Sequence, residues 1–192
     1  MNTRARFILF AMAMLATFGA TSCEKRGAQA AREDADLTSQ KILSIDDEDF
    51  LVKAERAEIT QTALSEVALD KSSNDDIRQF AYQVITNYRP ALELLTELRK
   101  QKNLPESSAI VQEMQLVARN RLSGLSRGAF DYEFISLMTA EQQEAVATFN
   151  SAAETAADPE IRNYAKSVLP LLREDFDTAS TLEKKFAARK RR

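Results

Sequence analysis

The chain of 192 residues lacks histidine and tryptophan, and it contains one cysteine, four glycines and four prolines. The missing histidines remove the usual general base, the commonest zinc ligand and the serine–histidine pairing of serine hydrolases. A single cysteine excludes an internal disulfide and a cysteine-based zinc site. So few glycines and prolines cannot supply the turns of a β-sandwich or barrel. The length favours one domain, and these absences lead us to expect no enzyme, no cofactor and no bound metal.

The first 22 residues have the organisation of a secretory signal peptide. Arg4 and Arg6 precede a run of twelve uncharged residues, Phe7 to Phe18. That run is shorter than the roughly 20 apolar residues that span a bilayer. The sequence Ala-Thr-Ser-Cys at residues 20–23 resembles the cleavage box of bacterial lipoproteins, with alanine in place of the usual leucine. In such proteins the cysteine, here Cys23, becomes the lipidated first residue; the alternative is an ordinary secreted protein with one leftover thiol.

The rest of the chain divides into three parts by composition. Residues 23–45 are polar and alanine-rich, and we interpret them as a tether between lipid and domain. We expect a helical domain at residues 46–188 and a basic tail at residues 189–192. From Cys23 to Glu183 the chain carries 18 basic and 29 acidic residues, which argues against nucleic-acid binding by the domain surface. A C-terminal basic cluster contains Lys184, Lys185, Arg189, Lys190, Arg191 and Arg192.

Apolar residues recur at alternating spacings of three and four, which is typical of amphipathic helices. The pattern predicts long helices over residues 46–73, 75–102, 129–157 and 159–187, and a shorter helix over residues 108–125. Long helices with such stripes pack at shallow angles into a four-helix bundle. The stripe of the second helix is Ile77, Ala81, Val84, Tyr88, Ala91, Leu95 and Leu98. The inward residues expected on the short helix are Ile110, Met114, Val117 and Leu122.

Each long stripe contains one polar residue near the middle of its helix. These residues are Gln61, Tyr88, Gln142 and Asp175. A buried polar group without a partner costs about 1–3 kcal/mol. We therefore predict that the four side chains share one layer of the bundle and form a hydrogen-bonded cluster. Asp175 would accept, the two amides would bridge, and the Tyr88 hydroxyl would donate.

Several short segments together resemble a known family in their order and spacing. They are residues 68–81 (ALDKSSNDDIRQFA), 122–124 (LSG), 128–131 (GAFD), 145–146 (AV) and 169–170 (LP). The family is domain of unknown function 4142, a ferritin-like helical family often described as predicted outer-membrane protein. The resemblance extends over about residues 46–182. It implies an all-α, ferritin-like four-helix bundle, here with an extra short helix between the second and third long helices. It implies no reaction, because the activity of the family is not established.

The resemblance also implies that the polar layer of this chain differs from that of its relatives. Members of the family typically carry an acidic residue at the position of Gln61 and histidines at the positions of Tyr88, Gln142 and Asp175. One carboxylate and three imidazoles on facing helices would resemble a metal site in a bundle core. Amides and a phenol are poor ligands for a divalent transition metal. We therefore expect that this chain has lost any such site.

The sequence predicts a lipid-anchored helical bundle of the bacterial cell envelope, facing the periplasm, with the outer membrane favoured. Its role would be structural or binding, with the membrane and an envelope protein or anionic lipid as partners and no nucleic acid. One alternative is a ferritin-like metal-binding or redox protein with degraded ligands. The carboxylates nearest the polar layer would then be Glu141, Glu144, Glu174 and Asp175. Another alternative is anionic-surface binding through the basic C-terminus, where each basic residue contributes about 1 kcal/mol.

Overall fold

A computed structural model of the chain describes residues 43–105 and 108–190. The expected signal peptide, Cys23 and most of the expected tether lie outside the described residues, as do Arg191 and Arg192. The described part consists of helices without strands: α1 (Ile45–Lys71), α2 (Asp75–Gln101), α3 (Ser108–Ser123), α4 (Arg127–Thr155) and α5 (Pro159–Lys190). The predicted all-α class is confirmed, and the helix ends lie within three residues of the predicted ones.

Short polar side chains begin three of the long helices. Ser44 accepts a hydrogen bond from the backbone amide of the third residue of α1 at 3.1 Å. Asn74 accepts from the amides of the second and third residues of α2. Asp158 accepts from the second residue of α5 at 2.9 Å, and Pro159 occupies the first helical position, where a missing N–H has no cost. Each such cap contributes about 1 kcal/mol to the stability of its helix.

The four long helices form a closed ring in which α1 contacts α2 and α4, and α5 contacts the same two helices. The short helix α3 packs against α1 and also touches α4. All seven residues of the predicted α2 stripe are buried. The fold is therefore the predicted ferritin-like four-helix bundle with one additional helix. None of the described helices contains an apolar stretch long enough to span a bilayer.

Two aromatic groups fill the core on either side of the middle of α4. Phe50 of α1 meets Phe149 of α4 edge-on, with ring centroids 5.1 Å apart, and Tyr164 of α5 lies beside both rings. Nearer the start of α4, Phe134 contacts Phe80 of α2 with ring centroids 6.3 Å apart. Aromatic pairs in this geometry add about 0.5–1.5 kcal/mol beyond the burial of their area. The middle of the bundle therefore lies between two well-packed apolar regions.

The short helix is rotated from its predicted orientation. Val117 was expected to face inward, and this is wrong, because its side chain is 59% exposed. The neighbouring Ala118 is buried instead, and Leu122, four residues later, is buried as expected. A helix that packs mainly on one neighbouring helix needs only a narrow strip of buried apolar side chains. The small side chain of Ala118 allows α3 to approach α1 closely. The side chains of Ile110 and Met114 lie outside the described residues.

Charged side chains tie the start of α1 to the turn between α4 and α5. The buried carboxylate of Asp47 accepts hydrogen bonds from the backbone amides of Ala157 at 3.0 Å and Asp158 at 2.9 Å. The carboxylate of Asp158 in turn pairs with Lys102, at the end of α2, at 2.9 Å. Three segments that are distant in sequence are therefore joined at this end of the bundle.

Candidate functional site

The middle of the bundle contains hydrogen-bonded polar side chains from three helices. The Tyr88 hydroxyl on α2 lies 2.9 Å from Oε1 of Gln61 on α1 and 2.9 Å from Oε1 of Gln142 on α4. All three side chains are fully buried. These three residues are termed the tyrosine cluster below. The structure thus brings together three of the four side chains that the sequence places in one layer.

The tyrosine cluster is neutral and leaves some hydrogen-bonding capacity unused. A phenol has one hydrogen, so Tyr88 can donate to only one of the two amide oxygens. If the amide of the other glutamine were turned by 180°, its NH₂ group could donate to the phenol oxygen instead. The amide nitrogens of Gln61 and Gln142 have no partner within the described residues. Burial raises the pKa of the Tyr88 hydroxyl well above its usual value, and the charge of Asp175 raises it further, so the phenol stays protonated.

Asp175 belongs to a second hydrogen-bonded group. Its Oδ1 accepts from Nε2 of Gln83 at 2.7 Å and from Nδ2 of Asn87 at 3.1 Å, and both donors are on α2. The expected cluster of four residues is therefore corrected to a cluster of three and a separate carboxylate with two amide donors. Burial raises the pKa of Asp175 to about 6, although the hydrogen bonds from Asn87 and Gln83 oppose that rise.

A buried carboxyl group that the analysis of the apolar stripes missed lies one turn before Gln61. Glu58 on α1 is 1% exposed, and its Oε1 accepts a hydrogen bond from the Tyr164 hydroxyl on α5. Its Oε2 has no partner within the described residues. Burial raises the pKa of Glu58 to about 8, although the hydrogen bond from Tyr164 lowers it. Glu58 is therefore mostly protonated at neutral pH.

The sequence does contain a weak signal for Glu58. Ala54, Glu58, Gln61 and Ser65 follow one another at spacings of four, three and four, and all four are buried. Ala54 and Gln61 also belong to the predicted apolar stripe of α1, which is Phe50, Ala54, Ala57, Gln61, Leu64 and Ala68, so Glu58 and Ser65 lie along one edge of that stripe. Because a glutamate usually lies on a solvated helix face, the spacing alone did not single it out.

The described residues contain no group of three acidic or cysteine side chains that could hold a metal ion. Of the carboxylates considered in the sequence analysis, Glu144 and Glu174 are exposed and Glu141 is half-buried. Burial and the neighbouring Glu144 raise the pKa of Glu141. The polar side chains described at the middle of the bundle can form hydrogen bonds, and Glu58 and Asp175 can take up or release a proton.

The basic cluster continues the last helix beyond its predicted end. Lys184, Lys185 and Arg189 are exposed on α5. Lys185 pairs with Asp76 at the start of α2. The guanidinium of Arg189 lies over the ring of Phe186, 5.6 Å from its centre. The helix ends at Lys190, so the part of the basic tail before Arg191 belongs to the helix.

The fold is similar to that of a DUF305 fragment from Deinococcus radiodurans, whose crystal structure matches with a TM-score of 0.61. The match covers 74% of this chain and 98% of that fragment, at 17% sequence identity. At this identity the similarity establishes the fold alone. None of the curated proteins matches this chain.

The family described as "Domain of unknown function (DUF4142)" matches residues 31–182. The match begins within the segment expected to be a tether and includes α1, α2, α3, α4 and most of α5. It covers well over half of the chain. The chain therefore belongs to the DUF4142 family.

Proposed function

We propose that this protein is a lipid-anchored helical bundle of the bacterial cell envelope, which acts through binding or as a structural component and catalyses no reaction. The observation that carries the proposal is the tyrosine cluster. Gln61, Tyr88 and Gln142 are neutral, buried and hydrogen-bonded at the level where ferritin-like bundles build their metal centres. Such groups hold helices in register, but they supply neither a base nor strong metal ligands.

The order of residues 1–23 supports the anchor. A charged start, a twelve-residue uncharged run and a small-residue box before Cys23 are the features that direct export and lipidation. A single acyl chain holds a protein only marginally at a membrane, whereas several chains hold it firmly. The polar, alanine-rich residues that follow Cys23 suit a spacer between membrane and bundle.

Lipid labelling tests the anchor. The full chain is produced in a bacterial host supplied with an alkyne-bearing palmitate, alongside Cys23→Ser and, as a matched control, Ser22→Ala. We expect label and membrane association for the wild type and for Ser22→Ala, and loss of both for Cys23→Ser. Label that persists in Cys23→Ser, or a wild type that is unlabelled and released from membranes, would refute the anchor.

Metal titration tests whether the centre of the bundle has a different role. Calorimetry of the purified protein with Fe(II), Mn(II) or Zn(II) is expected to give no stoichiometric binding, because amides and a phenol occupy the layer. Stoichiometric binding with micromolar affinity would favour the metal-binding alternative. Loss of that binding in Asp175→Asn or Glu58→Gln would then identify the carboxylate involved.

A second candidate role is contact with an anionic surface through the end of α5. The exposed Lys184, Lys185 and Arg189 favour it, and three more basic residues follow them in the sequence. Flotation with vesicles that contain an anionic lipid, compared with neutral vesicles, measures the contact. A variant without residues 189–192 should bind the anionic vesicles more weakly, with the difference greatest at low salt. Equal binding by the two proteins at low salt would exclude this role.

A further inference from the structure

A groove of about 440 Å³ lies between α1, α3 and α4. This volume is within the range of about 300–1,000 Å³ that is usual for small-molecule sites. None of the residues of the tyrosine cluster lines it. Its apolar walls include Val52, Ile59, Leu64, Val117 and Leu137. Val52 is 43% exposed and Val117 is 59% exposed, so the groove presents apolar surface to solvent.

The most buried of the charged residues that line the groove is Arg99, which is only 7% exposed. Its Nε lies 3.5 Å from the carboxylate of Glu55, and its Nη2 donates to the backbone carbonyl of Pro105 at 3.1 Å. Its Nη1 has no hydrogen-bond partner within the described residues, and neither does the buried hydroxyl of Thr60, another lining residue. A buried, unpartnered donor of a charged group is costly, so an acceptor brought by a ligand would be favourable.

The charges around the groove restrict the charge of such a ligand. Three arginines line it, and so do three glutamates. Arg121 and Arg56 attract the carboxylate of Glu141 and oppose the rise in its pKa that burial causes. Because the fixed charges balance, a doubly charged anion would meet repulsion from the glutamates. A single negative charge at Arg99 would meet about half of that repulsion.

We propose that this groove binds a monocarboxylate with an apolar chain, whose carboxylate accepts hydrogen bonds from Arg99 and whose chain lies along the apolar walls. The inference rests on the binding role proposed above and gives that role a ligand class. It does not depend on the anchor, because every residue involved belongs to the bundle. A failure of palmitate labelling would therefore leave it standing, and its own failure would leave the anchor standing.

The absence of tryptophan from the chain allows a direct test, because one introduced tryptophan is the sole indole fluorophore. Val117→Trp places it at the groove. Leu116→Trp is the matched control, because Leu116 is also 59% exposed and does not line the groove. Both variants are made in residues 23–192 with Cys23→Ser, which keeps all that the expected maturation leaves except the lipid. Decanoate should shift the emission of Val117→Trp saturably and leave that of Leu116→Trp unchanged.

Two further comparisons test the head group. Decanol and decyltrimethylammonium share the apolar chain with decanoate but not its charge, and both should bind about tenfold more weakly or worse. Arg99→Lys in the Val117→Trp background should weaken decanoate by a similar factor and leave decanol unchanged, with circular dichroism reporting the fold.

Several outcomes would overturn the proposal. They are no response of Val117→Trp to decanoate, equal responses of the two tryptophan variants, and equal affinity for the acid and the alcohol. Unweakened decanoate binding by a folded Arg99→Lys variant would also overturn it. If Arg99→Lys does not fold, the comparison of acid, alcohol and cation decides the question by itself.

Discussion

The tyrosine cluster and the Glu58–Tyr164 pair are both buried in the bundle, and both contain a phenol hydrogen-bonded to a side chain of α1. They differ in the group that meets the phenol. Gln61 is neutral at every pH, whereas Glu58 loses a proton with a pKa raised to about 8 by burial. The two sites are one turn of α1 apart. The contribution of the tyrosine cluster to the free energy of unfolding is independent of pH, whereas that of Glu58 changes with pH because Glu58 releases a proton. Variants of the two phenols and of Glu58 test this difference.

The largest expected effect is the pH dependence of stability. The pKa of Glu58 is about 8 in the folded chain, against a usual value of 4.5. The unfolded chain therefore releases this proton first, and the free energy of unfolding falls as pH rises between about 5 and 8. The loss is about 4 kcal/mol over that window, at about 1.4 kcal/mol per pH unit at most. Urea unfolding followed by circular dichroism at several pH values measures it.

Glu58→Gln should remove this slope, most clearly between about pH 6 and pH 8. Below that window Asp175, whose pKa is raised to about 6, contributes a slope of the same sign. Glu66→Gln, an exposed substitution on the same helix, is the control and should leave the slope unchanged. A slope that survives in Glu58→Gln would show that Glu58 ionises at its ordinary pKa in the folded chain.

A smaller effect is expected from Tyr88→Phe. The substitution leaves Gln61 and Gln142 without the hydroxyl that joins them, and each unsatisfied buried group costs about 1–3 kcal/mol. We expect a loss of about 2–4 kcal/mol that is the same at pH 5 and pH 8, as measured by urea unfolding. Tyr82→Phe, at a tyrosine of α2 that is 66% exposed, should change little. A loss in Tyr88→Phe that grows with pH would contradict the neutrality of the cluster.

The corresponding change at the other phenol, Tyr164→Phe, should cost about 1–3 kcal/mol at neutral pH. It removes the hydrogen bond that lowers the pKa of Glu58, so the slope of stability should extend to higher pH than in the wild type. Urea unfolding at several pH values measures both the loss of stability and the pH at which the slope ends. A variant whose slope ends at lower pH than that of the wild type would be inconsistent with this role of Tyr164.

The smallest change in stability is expected when the whole tyrosine cluster is replaced by apolar residues. Gln61→Leu, Tyr88→Phe and Gln142→Leu together leave no orphaned partner, so the free energy of unfolding should stay within about 1 kcal/mol of the wild type. We expect the bundle to lose a unique helix register instead, which would appear as broadened or duplicated amide signals in NMR spectra. A loss as large as that of Tyr88→Phe alone would show that the cluster contributes net stability.

The fold was predictable because its main determinant is periodic. The stripe from Ile77 to Leu98 identifies the buried face of α2 without any knowledge of its neighbours, and the caps mark where helices begin. A stripe does not tell which side chains of a neighbouring helix will reach a buried polar group. Asp175 lies on its predicted face, yet the off-stripe amides Gln83 and Asn87 reach its carboxylate.

The remaining buried polar residues could not be predicted because their burial depends on tertiary contacts. Arg99 lies in the last turn of α2, where its guanidinium reaches the following connection at Pro105. Asp47 is buried by the turn between α4 and α5. Neither contact can be recognised from the spacing of residues in the sequence. The exposure of Val117 could not be predicted either. In a short helix with few apolar residues, several rotations about the helix axis fit the apolar spacing equally well.

The tie between Asp47 and the turn between α4 and α5 has a mechanical consequence. Tension from a membrane attachment would enter the bundle at Leu43 and Ser44, just before α1. The hydrogen bonds that the Asp47 carboxylate accepts from the backbone amides of Ala157 and Asp158 would pass part of that load to the hairpin of α4 and α5, so α1 could not detach alone. Single-molecule pulling from residue 43 would detect this as a lower rupture force in Asp47→Ala.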